Sequence, residues 1–354
     1  MKLPKLPSNA AYLRIDNASR HNALSSTVLK SLRDQLIKYN TSPRNGRRLF
    51  LPPFNSDSLN HLSRAQHANK KDINSSEDGW LVRHESWLLH RNGLPDVLVL
   101  CSEGPTFSSG HDLKELDKKP SYAVQADFEL CAEVMKLVRR CPIPIVGRIH
   151  GLATAAGAQL ALSTDLPIAC ASTPFRLPGA YLGLSCISPS TALSRKLGNA
   201  FTYRMLALGE QLRADQLPPG VVDIVADEEA LEARVSEVVD ILANQTSPQA
   251  QAFGKWAYWT QTGWARDHGS GDGYAYAAKW AGEAMTLHSQ MADAREGISS
   301  FLNKRKASWK SKPNKLPADD KPAEEVQVDD VDSGPSMERK KAIKRPGWFR
   351  TIQL

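Results

Sequence analysis

Two stretches of the chain join an apolar, strand-like run to a turn of small residues and then to the start of a helix. The first is Cys101 to Leu116, CSEGPTFSSGHDLKEL, and the second is Ile145 to Asp165, IVGRIHGLATAAGAQLALSTD. Backbone N–H groups at such junctions have no partner inside the helix they open, so they point outward and can hold a developing oxyanion. In the second stretch the small residues Ala153 to Ala158 let a ligand approach the backbone, and the helix start adds a positive dipole end. Together the two junctions would form a two-donor oxyanion hole. Taken singly, such a junction is more often ordinary packing of strand on helix. Other chemistries find less support: the nine histidines form no HExxH, HxxxH or Cys/His cluster, so no metal is expected.

The elements that must position these turns follow from periodicity. Tyr12 to Ile15 reads as a strand, and Asn22 to Tyr39 as an amphipathic helix, with Val28, Leu29, Leu32, Leu36 and Tyr39 on one face. Residues 41–92 are rich in Pro, Gly, Asn and Ser with little sustained period, and read as a polar insertion or long loop with a short element near Trp80 to Leu89. From residue 96 onward short apolar runs alternate with helical patterns. Strands are expected at Val97 to Cys101, Ile143 to His150 and Leu166 to Ala171, and helices at Tyr122 to Arg140 and Thr154 to Ser163. That alternation predicts an α/β domain with largely parallel pairing. Helical patterns dominate after Ser188. Trp256, Trp259 and Trp264 with Phe253 and Tyr258 form an aromatic cluster suited to core, to a subunit contact or to a pocket lid.

Charge and cysteine usage narrow the classes. The formal charge is +7, but the stretch from Lys304 to the end holds 13 Lys and Arg against 8 Asp and Glu, leaving only +2 for the remainder. The basic signal belongs to the tail, and a nucleic-acid surface is not expected. Residues 1–312 are read as one domain carrying the 41–92 insertion, and 313–354 as a disordered charged tail. Within it, MERKKAIKRPGWFR, Met337 to Arg350, is read as solvated, or as a contact for an acidic partner or membrane surface. Cys101, Cys131, Cys141, Cys170 and Cys186 are odd in number and lack CxxC spacing, which reads as a reducing compartment. No run approaches the ~18 apolar residues of a membrane span, so an intracellular soluble protein without stable membrane insertion is expected.

FSSGHDLKEL and HGLATAAGAQLALSTDLPIA, with NAL at Asn22 to Leu24 and EGISSFLNKRKASW at Glu296 to Trp309, resemble the signature segments of the crotonase superfamily, the enoyl-CoA hydratase/isomerase family, and occur in its order. Within it, FSSGHDLKEL and GLATAAG resemble the enoyl-CoA hydratase domain-containing protein 3 group. The similarity covers about residues 10–40 and 95–310. It implies a spiral of repeated ββα units, the ClpP/crotonase-like fold, with a helical C-terminal region used for trimerisation. It also implies an acyl-CoA ligand, no separate cofactor, a homotrimer or hexamer, and a mitochondrial matrix or cytoplasmic location. The thioester oxygen would lie between the backbone N–H groups at His111 and Ala156, with Gly157 keeping the approach open. On the CoA side the resemblance points to Gly110, Asp112, Lys114, Phe301 and Lys304. Asp112 is better suited to an N-cap or turn-fixing role for the helix at Leu113.

The departures are as informative. Where the family's hydratases place their two glutamates, this chain has Gln159 and Gly179. An amide has no useful basicity near neutral pH and glycine has no side chain, so hydration through that pair is not expected. The stretch Arg176 to Ser190, RLPGAYLGLSCISPS, holds no Asp or Glu either, which weighs against the family's isomerase chemistry. Tyr181, Ser185 and Cys186 fall where the family places the reactive end of the acyl chain, and His150 ends the strand before the second donor. A thiolate nucleophile or a Tyr general acid is one reading there; a buried small hydrophobe and a wall residue is the other. The chain is thus an acyl-CoA enzyme of undefined reaction, or a non-catalytic acyl-CoA binder or scaffold.

Overall fold

A computed structural model describes residues 3–67, 78–182, 184–263 and 291–311. The expectations for Trp264 and for the charged tail lie outside these residues.

Five strands form a parallel sheet: β1 (Ala10–Ile15), β2 (Val97–Ser102), β3 (Ile145–Ile149), β5 (Leu166–Cys170) and β8 (Asp223–Val225), in the order β1-β2-β3-β5-β8. A smaller sheet contains β4 (Ala153–Thr154), β6 (Pro174–Arg176) and β7 (Gln211–Arg213), in the order β4-β6-β7 with β6 and β7 antiparallel. Strand VLVLC is apolar throughout because both faces of the large sheet are covered. Leu98 and Leu100 of β2 turn into one core cluster; Val97 and Val99 turn into another on the opposite face.

On the first face lie α1 (Ser26–Tyr39), α6 (Ser121–Arg140), α7 (Ala156–Ser163) and α9 (Ile187–Leu197). The period in α1 places Val28, Leu29, Leu32 and Leu36 in the core, and the Ser25 hydroxyl caps the helix by accepting from Val28 N–H at 3.3 Å. On the second face α11 (Glu228–Asp240) packs Leu231, Val235, Val238 and Val239 against β3 and β5. Helices outside the 41–92 segment also include α5 (Leu113–Leu116), α8 (Gly179–Leu182), α10 (Asn199–Leu208), α12 (Pro248–Gly263) and Ala292–Leu302.

The 41–92 segment differs from a polar loop. It contains α2 (Asp57–His67), α3 (Gly79–Val82) and α4 (His84–Arg91). Leu49, Leu51, Leu59, Leu62, Trp80 and Trp87 form a third core cluster with Phe253 and Trp256 of α12 and with Met291. The apolar residues of this segment are completed by a helix almost two hundred positions later, so no local period announced them. Two of the aromatic residues near 256 are therefore core, and Tyr258 stacks edge-on to Trp259 beside them at 4.8 Å.

Candidate active site

The first turn is clamped from three sides. Leu24 N–H donates to Gly110 O at 2.8 Å, the Ser108 hydroxyl donates to Asn22 O at 2.8 Å, and Ser108 exchanges N–H and C=O bonds with Leu152 and Thr154. Asn22 adopts a left-handed backbone (φ 53°), which Asn tolerates better than most residues, and its amide donates to Glu103 O and Thr106 O at 2.8 and 2.7 Å. The NAL motif thus has a physical role: it staples the 103–110 turn onto the start of α1.

The second turn is strained where it meets the first. Ala155, N-cap of α7, sits at φ 50°, ψ −123°, a conformation costing an L-residue roughly 1–3 kcal/mol. Its side chain offers no acceptor, so the first N–H groups of α7, beginning with Ala156, are left without a cap. Gly110 has φ 82°, and a Cβ built there would lie 2.9 Å from Ala155 Cβ and 3.2 Å from Ala156 N. The residue before His111 therefore passes directly over the α7 start, and only glycine leaves that approach clear. Gly157 is pressed from the other side, since a Cβ there would meet Ser108 O at 2.3 Å. The structure brings together Gly110, His111, Ala156 and Gly157.

Around this junction the side chains mostly hold the frame. Asp112 is the N-cap of α5, accepting from Glu115 N–H at 3.1 Å and pairing with Arg20 at 2.7 Å while almost fully buried. The His111 ring packs edge-on to Phe128 at 4.9 Å, and burial pushes its pKa down despite the pull of Asp127 and a hydrogen bond with the Leu24 backbone. Nearby, Lys119 Nζ bridges Glu115 and Asp127 at 2.6 Å each, and the Ser26 hydroxyl reaches the same two carboxylates. Proximity to Lys119 and Ser26 holds both carboxyls below their usual range in spite of burial. Sequence reading missed this network, because its members come from three elements; the Lys119 and Glu115 spacing was its only visible sign. Lys114 is exposed on α5; Phe301 lies in the helix Ala292–Leu302, and Lys304 follows it, exposed.

The two acid positions behave differently. Gln159 is one helical turn beyond Ala156 on α7, hence on the same face. It is 5% exposed; its Nε2 makes a long 3.4 Å bond to the Thr191 hydroxyl, and its Oε1 is buried with no partner. Gly179 opens α8 under a tight return of the chain: a Cβ built there would meet Leu184 O at 2.3 Å and Cys186 N at 2.6 Å. Backbone occupies the space a side chain would need.

The other residues singled out for chemistry, Cys186, Tyr181 and His150, are held in other ways. Cys186 is buried in the main core, and burial pushes its thiol pKa up, the opposite of what a thiolate nucleophile requires. Tyr181 is 70% exposed, its ring lying under the Arg176 guanidinium at 5.3 Å and against Gly209. His150 is occupied structurally, bonded to Gly104 O at 2.7 Å and to Arg148 at 3.0 Å. All five cysteines are free and buried, and among the described residues there is no group of three or more metal-ligating side chains. Among the described residues, too, no helix is long and apolar enough to cross a membrane.

Residues 91–312 match the enoyl-CoA hydratase/isomerase family. Enoyl-CoA hydratase domain-containing protein 3, mitochondrial, from mouse is 35% identical over 246 residues, covering 68% of this chain and 79% of its own. The human protein of that name is 32% identical over 273 residues, covering 76% and 87%. A crystal structure of human enoyl coenzyme A hydratase domain-containing protein 3 superposes with a TM-score of 0.64 at 26% identity, over 86% of this chain and 98% of that one.

Proposed function

This chain belongs to the enoyl-CoA hydratase/isomerase family and has the crotonase fold, and from that premise we propose that it binds an acyl-CoA thioester whose carbonyl oxygen sits between the N–H groups of His111 and Ala156. The observation that carries this reading is the junction of the two turns. Strain at Ala155 and the bare Gly110 backbone keep the Ala156 N–H uncapped beside the His111 turn. A chain needing only the fold gains nothing from that arrangement. Donors fixed in this way stabilise an enolate or tetrahedral oxyanion more than the neutral carbonyl, because they require no reorganisation as charge develops. Lys114, Phe301 and Lys304 are proposed on the CoA side, in a homotrimer or hexamer, acting in acyl-CoA metabolism. The names of the relatives favour a mitochondrial location.

Hydration through paired carboxylates is not proposed. One position carries an amide, and the other is filled by the Leu184 to Cys186 backbone. Neither Cys186, with its raised pKa, nor the outward Tyr181 replaces them. The same observation supports a second reading, in which the protein binds the thioester without turning it over. Calorimetric titration with crotonyl-CoA and with free CoA, followed by chromatography of the same samples, separates the two. Crotonyl-CoA is expected to bind more tightly than CoA and to yield no 3-hydroxyacyl product. A different product places the protein among the enzymes. Equal affinity for the two ligands removes the oxyanion reading, and rapid 3-hydroxybutyryl-CoA formation removes the claim about the acids.

A further inference from the structure

Beyond Gln159 a cavity of about 650 Å³ opens between α6, α7 and α9, floored by Phe54, Met135, Leu162 and Trp259. Its polar lining has one sign. Lys136, Arg139, Arg140, Arg195 and Lys196 face it, against the single carboxylate of Asp165. That carboxylate is already committed, bonded by Lys255 Nζ and by Ile145 N–H at 2.8 Å each. Arg140 is held by Leu51 O, and the hydrogen bonds of Lys196 among the described residues go to backbone carbonyls, at 3.3 and 3.5 Å. Arg139 lies flat on the Trp259 ring at 3.6 Å, Arg195 donates to Thr191 O, and neither meets a carboxylate among the described residues. The cations outnumber the one carboxylate: burial pushes the pKa of Arg139 and of Lys196 down, and neighbouring cations (Arg195 for Arg139, Lys255 and Arg139 for Lys196) add to this against the opposing pull of Asp165. Such a cluster is stabilised by an anion.

The cavity lies in line with the thioester turns. Ala156, Gln159, Leu162 and Ser163 are successive turns of one helix, and the last three line the cavity, so α7 runs from the carbonyl end to the cationic wall. From Ala156 to Thr164 the rise is roughly 12 Å, the reach of a medium-length acyl chain. Gln159, with its buried and unpartnered oxygen, stands between the two ends as a neutral polar group where an acid would be drawn toward the cations. Resting on the acyl-CoA reading above, we propose that the preferred ligand is a dicarboxylyl-CoA, with its distal carboxylate held at the wall of Arg139, Arg195 and Lys136. Phosphate groups of the CoA itself are the other anions that could reach such a wall, and the experiment separates them.

Calorimetric titrations would compare suberoyl-CoA, octanoyl-CoA and free CoA, on the full-length protein and on Arg195→Gln and Lys136→Gln, both surface-accessible substitutions whose folding is checked by thermal melting. Suberoyl-CoA is expected to bind about tenfold more tightly than octanoyl-CoA, an advantage that shrinks with added salt. Each variant is expected to reduce that ratio toward one while leaving octanoyl-CoA affinity within about twofold of the original. Octanoyl-CoA binding as tightly as suberoyl-CoA overturns the inference and leaves the thioester reading intact. If the variants weaken free CoA as much as suberoyl-CoA, the wall serves the nucleotide and the inference falls. Failure of both thioesters to outbind free CoA removes the parent reading and this one together.

Discussion

The two halves of the site are built under opposite constraints. Around Gly110 and Ala156 the backbone is bent and strained and bears small side chains or none, so that the two turns approach closely and the start of α7 has no side-chain cap. Around Gly179 the backbone is folded back so closely that no side chain fits. In one half the backbone keeps side chains out of the approach between two turns; in the other, backbone fills the space a side chain at residue 179 would need. Loss of an acid by substitution alone is reversed by a single mutation; loss by refolding of the surrounding backbone is not. Under the proposed function, the first half would hold and polarise a thioester, and the second would leave no room for the second acid of a pair.

The strongest challenge to that contrast is Gly179→Glu. With a Cβ 2.3 Å from Leu184 O, the substitution should destabilise the fold by about 3 kcal/mol, read from urea unfolding, and should confer no hydration of crotonyl-CoA even combined with Gln159→Glu. A stable, hydrating double variant would mean the 184–186 return yields readily, and the contrast would disappear. On the thioester side, Gly110→Ala places a methyl 3.2 Å from Ala156 N at a positive φ. Crotonyl-CoA affinity should drop at least tenfold, about 1.4 kcal/mol, with free CoA affinity little changed. Equal losses for both ligands would place the effect in general folding instead of at the carbonyl.

A pH signature is expected from three histidines desolvated by burial, one of them in the first turn. His111, and with it His90 and His150, have pKa values pushed down by burial. The unfolded chain then binds more protons than the folded one in acid, so stability is full above about pH 6.5 and declines as pH falls from there toward the folded values. Melting temperature should fall by a few degrees between pH 7.5 and 5.5, and His111→Gln should reduce the drop. Glu115 and Asp127, held below their ordinary range, add a second loss only as pH falls further, through their folded values. The smallest effect is expected at Gln159. Its Oε1 is buried without a partner, so Gln159→Leu should leave stability unchanged or raise it by less than about 1 kcal/mol. A larger loss would show that the amide is held by something its present bonds do not reveal.

Much of the frame was legible in the residues. Strands expected from Val97, Ile143 and Leu166 and helices expected from Asn22 and Tyr122 follow from period, and appear at Val97, Ile145, Leu166, Ser26 and Ser121; the glycine-rich turns marked where the backbone comes close. Besides the Lys119 network, three further things were not legible. The 41–92 segment looked polar because its apolar partners lie on α12. The strain at Ala155 has no compositional mark, since alanine is at ease in most other conformations. The filled space at Gly179 depends on how residues 184–186 return, whereas the sequence conveyed only that the acid was missing.

The most direct test of the account is the absorption spectrum of a conjugated enoyl-CoA, such as 4-dimethylaminocinnamoyl-CoA, on titration with the protein and with Gly110→Ala. Donors aimed at the thioester oxygen polarise the chromophore, so its band should move to longer wavelength on binding and then persist without decay, and the variant should abolish the shift. A bound ligand with an unshifted band, or a band that bleaches as water adds across the double bond, would contradict it.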